Sequence, residues 1–194
     1  MKKQLLALAL SCAFVGAAHA DNNQPNPVHF MAGIGLSVGG QTINTVQYTD
    51  GSSSNISSGT GGIIHAGLDW RISESFSSQL TVGYQFRETP AASNGDARFT
   101  RIPVDLLFYY HPDQKWRLGL GAEYVVSPKV SGSGEASYVS EDFKNALGAI
   151  VEVEYFFSPQ ISMKVRGVKE NYKPQDGGPS IDGSHAAIIG DYYF

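Results

Sequence analysis

Three observations predict an all-β chain folded as an eight-stranded antiparallel up-and-down transmembrane β-barrel. Apolar and polar residues alternate with a period of two along eight segments. The connections between the segments are alternately short and long, and aromatic residues gather at the segment ends. Beyond the first 20 residues no stretch holds 18 consecutive apolar residues, so a membrane-crossing helix is not expected. Segments of about 9 to 13 residues are close to what a tilted strand needs to cross a bilayer.

The first segment, Val28 to Gly39, sets Phe30, Ala32, Ile34, Leu36 and Val38 on one face. Gly62 to Trp70 aligns Ile64, Ala66, Leu68 and Trp70, and Phe76 to Arg87 aligns Leu80, Val82, Tyr84 and Phe86. Phe99 to Tyr110 aligns Ile102, Val104, Leu106, Phe108 and Tyr110. Trp116 to Val126 aligns Trp116, Leu118, Leu120, Ala122 and Tyr124. Asn145 to Phe157 aligns Leu147, Ala149, Val151, Val153, Tyr155 and Phe157. Gln160 to Tyr172 aligns Ile161, Met163 and Val165, and Ser184 to Phe194 aligns Ala186, Ile188, Gly190, Tyr192 and Phe194.

Short connections are expected at Arg71 to Ser75, His111 to Lys115 and Ser158 to Gln160. Long ones, rich in Gly, Ser, Asn and Pro, are expected at Gly40 to Gly61, Glu88 to Arg98, Ser127 to Lys144 and Lys173 to Gly183. Within them Asp50-Gly51 and Asn94-Gly95 are hairpin-turn signals. Short turns on one side and long loops on the other are the layout of a membrane barrel with both termini on the short-turn side. A β-sandwich shows no such strict alternation.

The aromatics fall into two groups. At the short-turn end a girdle is expected from Phe30, Trp70, Phe76, Phe108, Tyr110, Trp116, Tyr155, Phe157, Tyr192 and Phe194. At the loop end Tyr84, Phe86, Phe99, Tyr124, Phe143 and Tyr172 are expected to face outward. Aromatic rings favour the membrane–water interface, where an apolar body and a polar tip are both satisfied.

The opposite face is polar. It carries the charged set Asp69, Arg101, Asp105, Arg117, Glu123, Glu152, Glu154, Lys164 and Arg166, together with His65, Gln79, Gln85 and Asp191. Gly33, Gly35, Gly67, Gly83, Gly119, Gly121 and Gly148 lie among them and make room for long charged neighbours. Eight strands enclose an interior only wide enough to be filled by side chains, so buried charges there must be paired. If the turn at Ser158 to Gln160 sets Phe157 opposite Ile161, Glu154 faces Lys164 and Glu152 faces Arg166.

The two ends carry signals of their own. Lys2 and Lys3, the apolar stretch Leu5 to Ala18 and the small-x-small site Ala18-His19-Ala20 read as a secretory signal peptide over residues 1–20, leaving a barrel domain over 21–194. The single cysteine, Cys12, leaves with it, so no internal disulfide is expected. Basic residues fall from 14 to 12 against 18 acidic ones, a formal charge of −6 that disfavours nucleic acid as a partner. The final strand resembles the C-terminal strand of outer-membrane proteins, which the barrel-assembly machinery recognises by its last aromatic, here Phe194.

The stretch Arg101-Ile102-Pro103-Val104-Asp105-Leu106-Leu107-Phe108-Tyr109-Tyr110-His111-Pro112, followed by Trp116-Arg117-Leu118-Gly119-Leu120-Gly121-Ala122-Glu123-Tyr124, resembles the central hairpin of the small outer-membrane β-barrel domain family. That family takes in the OmpA-, OmpX- and OmpW-like barrels. The resemblance covers the whole mature chain in layout, but only this hairpin and the last strand in motif. It implies insertion in the outer membrane of a Gram-negative cell, contact with its lipids and lipopolysaccharide, and termini on the periplasmic side. It implies no single activity, because fold does not decide function.

The expectation is a structural or surface-interaction barrel with a charged, largely filled interior. Its four external loops carry Tyr48, Tyr138 and Tyr172 among Ser and Gly for a partner the sequence does not name. Alternatives are a narrow channel for ions or small hydrophobic solutes, and a soluble periplasmic ligand-binding barrel with the apolar face turned inward. A lipid A-modifying enzyme is disfavoured. His185 is followed by two alanines rather than the His-x-Ser of the deacylase barrels, and the two prolines between Asp21 and Pro27 oppose an N-terminal amphipathic helix. No catalytic, cofactor or metal residues are expected, since there is no H-E-x-x-H, no EF-hand loop and no mature cysteine.

Overall fold

The computed structural model describes residues 27–47, 53–88 and 96–194. Residues 1–20, read from the sequence as a signal peptide, and Tyr48, Asp50-Gly51 and Asn94-Gly95 lie outside the described residues. Eight long strands form one sheet: β1 Val28–Gly39, β2 Gly61–Arg71, β3 Phe76–Glu88, β4 Ala97–Tyr110, β5 Trp116–Gly132, β6 Ala146–Ser158, β7 Ile161–Lys169 and β8 His185–Tyr193. Each pairs antiparallel with its neighbour in sequence, and β8 returns to pair with β1 from Met31↔Tyr193 to Gly39↔His185. Closure leaves no edge among these eight strands, and the two-residue strand Glu141–Asp142 adds to β5 at the loop end, so the ladder satisfies the backbone hydrogen bonds that lipid cannot.

Polarity is inverted relative to a water-soluble barrel. Ile34, Leu36, Leu120 and Leu147 face outward with 65–72% of their surface exposed. Arg101, Arg117, Lys164 and Glu154 are buried inside. A soluble ligand-binding barrel needs the reverse, so the structure removes that alternative. The girdle residues Phe30, Phe76, Phe108, Tyr110, Trp116, Phe157, Tyr192 and Phe194 stand on the outer face, with Trp70 and Tyr155 half-exposed among them. They touch in rows: Phe30 lies on Phe194 at 5.6 Å between centroids, Trp116 on Tyr155 at 4.7 Å, and Tyr155 on Phe157 at 5.1 Å. At the loop end Tyr84, Phe86 and Tyr124 are also exposed.

Phe99, Phe143 and Tyr172 depart from the expected outer girdle. All three are buried within the barrel mouth, 6.1–6.4 Å apart between ring centroids, with Ile56, Ala97, Val125, Val130 and Ala146 around them. The pleat explains two of them. Phe99 shares the parity of Arg101 and Asp105, and Tyr172 that of Lys164 and Arg166, so both belong to the inner face.

The turn after β6 also differs from expectation. Ser158, not Phe157, pairs with Ile161 across a two-residue Pro159-Gln160 connection, and Ser158 Oγ accepts from Ile161 N at 3.1 Å. A bulge then leaves Phe157 unpaired and returns the ladder to Ser162↔Phe156, Lys164↔Glu154 and Arg166↔Glu152. The extra residue cancels the slip, so both cross-strand charge pairs face each other inside. A second irregularity lies between β4 and β5, where the register shifts at Thr100/Ile102. Ser127, on the bulged side, takes φ 51, and its N–H donates to Asn145 Oδ1 at 3.1 Å.

Above the barrel the chain between β1 and β2 forms its own hairpin, Thr42–Gln47 with Ser53–Ser57. Asn171–Tyr172 pairs with Ile181–Asp182 in the last loop. The 14 residues of β4 and 17 of β5 exceed a bilayer crossing, so this hairpin projects beyond it.

Gly33 shows how tightly the interior is filled. A Cβ at this position lies 1.8 Å from Asp191 Oδ1, 2.5 Å from His65 Nε2 and 2.9 Å from the backbone oxygen of Gly190. Gly33→Ala is expected to destabilise the barrel by roughly 1–3 kcal/mol through overpacking, read as a lower urea midpoint for unfolding from lipid vesicles.

Candidate functional site

The inward face of every strand contributes polar side chains to the interior, where they gather in a cluster around Arg117, Lys164 and Arg166 and another around Arg101, and the strand pleat decides which side chains enter. Near the short-turn end Arg117 on β5 is the hub of the first. Its Nε donates to Glu154 Oε2 at 2.5 Å, its Nη1 to Asp69 Oδ2 at 2.7 Å, and its Nη2 to the Tyr193 hydroxyl. The guanidinium also lies 4.3 Å from the Tyr109 ring centroid and 5.0 Å from that of Phe156. Tyr193 in turn donates to Glu154 Oε1 at 2.8 Å, and Ser162 donates to the same oxygen.

Lys164 and Arg166 on β7 hold the middle. Lys164 Nζ lies 2.9 Å from Asp191 Oδ2, 3.4 Å from Glu152 Oε1 and 3.8 Å from Glu154 Oε2, and it donates to Gln79 Oε1 at 2.8 Å. Arg166 bridges Glu152 Oε2 and Asp105 Oδ2, each at 2.6 Å. The Tyr109 hydroxyl donates to Glu152, and His65 Nε2 meets Asp191 Oδ1 at 2.6 Å. Lys164 is therefore nearer to Asp191 and Glu152 than to Glu154, which it faces across the ladder.

Arg101 on β4 commands the loop end. Its Nε and Nη2 donate to Gln85 Oε1 at 2.9 and 2.5 Å, its Nη1 donates to Glu170 and Tyr172, and its Nη2 donates to His185 Nε2 at 3.1 Å. Glu123, on the neighbouring strand, lies 3.7 Å from Arg101 Nη1.

All nine charged positions singled out in the sequence are thus brought into the interior, and so are His65, Gln79, Gln85 and Asp191. The sequence reading passed over Glu170, Tyr172, His185, Tyr109 and Tyr193 as members of the network. Strand parity was the available signal. Tyr109 keeps step with Arg101 and Asp105, His185 and Tyr193 with Asp191, and Glu170 with Lys164 and Arg166. The interior also holds apolar contacts the charged pattern did not suggest. Leu107, Ile150 and Val168 pack around Tyr109, and Ile63 packs with Ala187 and Ile189.

At the short-turn end an open vestibule of about 640 Å³ is lined by Asp69, Arg71, His111, Arg117, Phe156 and Tyr193. His111 sits in the turn between β4 and β5. Arg71 Nη1 lies 3.3 Å from its Nδ1, and a guanidinium only donates, so Nδ1 accepts and Nε2–H donates to Ser77 Oγ at 2.8 Å. Burial first, then the charges of Arg71 and Arg117, push His111 from 6.5 down to about 4. Among the described residues no group of three or more His, Cys, Asp or Glu is arranged to hold a metal ion.

Two outcomes follow from this geometry. Arg117→Met leaves Asp69 buried without its cation and Glu154 with Lys164 alone, at 3.8 Å, and is expected to cost about 3–5 kcal/mol in urea unfolding. Between pH 6.5 and 4 the unfolded chain binds a proton at His111 that the folded chain refuses, so this group's contribution is complete above 6.5 and falls as the pH drops. The urea midpoint should therefore decline from about pH 7 to about pH 5, and decline less in His111→Gln.

Comparison with known proteins agrees with this architecture. Neisserial surface protein A is 12% identical over 87% of this chain and 97% of its own, with a TM-score of 0.53. Ail, the attachment invasion locus protein of Yersinia pestis, is 14% identical over 86% of this chain and 97% of its own, with a TM-score of 0.50. At such identities the likeness is one of fold. No curated protein sequence matches the chain. The family described as outer membrane protein beta-barrel domain matches residues 5–188. With nearly its whole length matched, and with a closed barrel that is apolar outside and polar within, the chain belongs to the outer-membrane β-barrel family.

Proposed function

We propose that this outer-membrane barrel serves as a structural and surface-interaction protein. The reading rests on one observation above all: the interior is occupied by cross-strand ion pairs anchored on Arg117, Lys164, Arg166 and Arg101, drawn from strands on opposite sides of the barrel. A side-chain plug of this kind stiffens an eight-stranded barrel and opposes free conduction. The useful surface is then the loop end, where Tyr138 is 69% exposed beside the extended β4–β5 hairpin. Tyrosine offers a large, rigid contact area at low entropic cost.

In this reading residues 1–20 direct export and are removed, and both termini face the periplasm. The last strand is presented to the barrel-assembly machinery. The apolar outer face and its aromatic rows contact lipid and lipopolysaccharide. No catalytic role is assigned, because the buried His65–Asp191 and His185–Glu170 contacts are absorbed into the structural network.

Purified barrel in planar bilayers is expected to give no discrete conductance steps above the bare bilayer, and steady unitary currents would reject the plugged interior. A Tyr138→Cys variant should react with a membrane-impermeant maleimide on intact cells. Labelling only after cell lysis would reverse the orientation.

A further inference from the structure

The interior holds more acid than base. Among the described residues seven carboxylates are buried there: Asp69, Asp105, Glu123, Glu152, Glu154, Glu170 and Asp191. Four permanent cations face them: Arg101, Arg117, Lys164 and Arg166. If His65, on Asp191, and His185, on Glu170, both carried a proton, one carboxylate would still lack a positive charge. An unbalanced ionised carboxylate in a dry interior is too costly to persist, and such groups neutralise instead.

Among the described residues the buried carboxylate oxygens without a hydrogen-bond partner, on Glu123, Asp105, Glu170 and Asp191, narrow where the deficit falls. Among the described residues Arg101 is the only cation within ion-pair distance of Glu123, at 3.7 Å. A guanidinium has five N–H donors. Those of Arg101 are directed at Gln85, Glu170, Tyr172 and His185, which leaves none for Glu123. Glu123 Oε1 accordingly accepts no hydrogen bond although it is fully buried. Directly across the β4–β5 ladder stands Asp105, whose Oδ2 takes Arg166 and Thr81 while its Oδ1 is likewise buried and unpartnered.

Opposed residues in an antiparallel pair carry Cβ atoms about 4.5–5.5 Å apart, within carboxyl-to-carboxyl reach. On β6 the residue beside Glu123 is Gly148, so no side chain from that strand intervenes. The remaining charged and titratable neighbours of Glu123 are Arg101 on its β4 side, Arg166 on β7 and Glu170 just beyond it, with Tyr172 and His185 of β8 behind Arg101.

We propose that Asp105 and Glu123 form a binding site for a single proton, taken up from solvent as the barrel folds and held between the two acids. One acid is then neutral, and its O–H donates to the orphaned oxygen of the other. Two oxygens without partners become one charge-assisted hydrogen bond, and one negative charge is removed from the interior. Because the folded barrel holds a proton that the unfolded chain releases at neutral pH, this site's contribution to stability declines as the pH rises.

Infrared spectroscopy of the folded barrel in lipid vesicles at about pH 7 tests the site, since a protonated carboxyl has a carbonyl stretch that a carboxylate lacks. The wild type is expected to show that band and Glu123→Gln to lose it. The same variant keeps the size and neutrality of the protonated acid. It should therefore retain the wild-type urea midpoint at about pH 7 and lose less of it by about pH 10. The wild-type band is read without any variant, and its absence overturns the proposal. So does a band that persists in Glu123→Gln, or a Glu123→Gln chain that fails to insert or unfolds at clearly lower urea at neutral pH. Those are the results expected of an ionised Glu123 held by Arg101.

Discussion

A charge removed from water into a narrow protein interior must meet an opposite charge or a hydrogen-bond partner there, and most of this barrel's inner face answers that requirement. Lipid outside forces the polar residues inward, and eight strands leave no wide aqueous lumen in which to hydrate them. The result is a chain of shared contacts rather than a set of isolated pairs. Arg117 serves Asp69 and Glu154, Lys164 lies among Asp191, Glu152 and Glu154, and Arg166 joins Glu152 to Asp105. Loss of one member exposes two others, which couples distant strands energetically.

Tyrosine and glutamine make this density possible. Tyr109 and Tyr193 present ring faces to Arg117 and hydroxyls to Glu152 and Glu154, so each meets a cation and a carboxylate at once. Gln79 accepts from Lys164 and donates to Asp69, linking the middle of the barrel to its short-turn end. Glycine supplies the space. A Cβ at Gly119 falls 2.6 Å from the Tyr109 ring, and one at Gly33 falls within the His65–Asp191 contact.

The two ends of the barrel differ physically. The short-turn end opens into a polar vestibule around Asp69, Arg117 and His111. The loop end is closed by an apolar cluster of Phe99, Phe143 and Tyr172 above the Arg101 network, so those charges are sealed from the loops. Arg101 needs that seal less than it needs partners, and it recruits Glu170 and Tyr172 from beyond the end of β7 to obtain them. This leaves Glu123 Oε1 buried without a hydrogen-bond partner.

Period-two alternation, connection length and aromatic placement were sufficient by themselves for the strand count, the antiparallel order and the polarity of each face. Those properties follow from the pleat and from the demand that lipid meet apolar side chains, both local to each strand. The same parity, carried further along β4, β7 and β8, would have placed Phe99, Tyr172, Glu170 and His185 inside. Tertiary structure alone decided which cation each carboxylate takes. That choice depends on closure, which brings β2, β3 and β8 together around Arg117 of β5 and sets Lys164 closer to Asp191 than to the Glu154 it faces. It also decided that Phe157 is bulged out of the β6–β7 ladder, because a two-residue turn and a fixed inward register are compatible only when one residue is left unpaired.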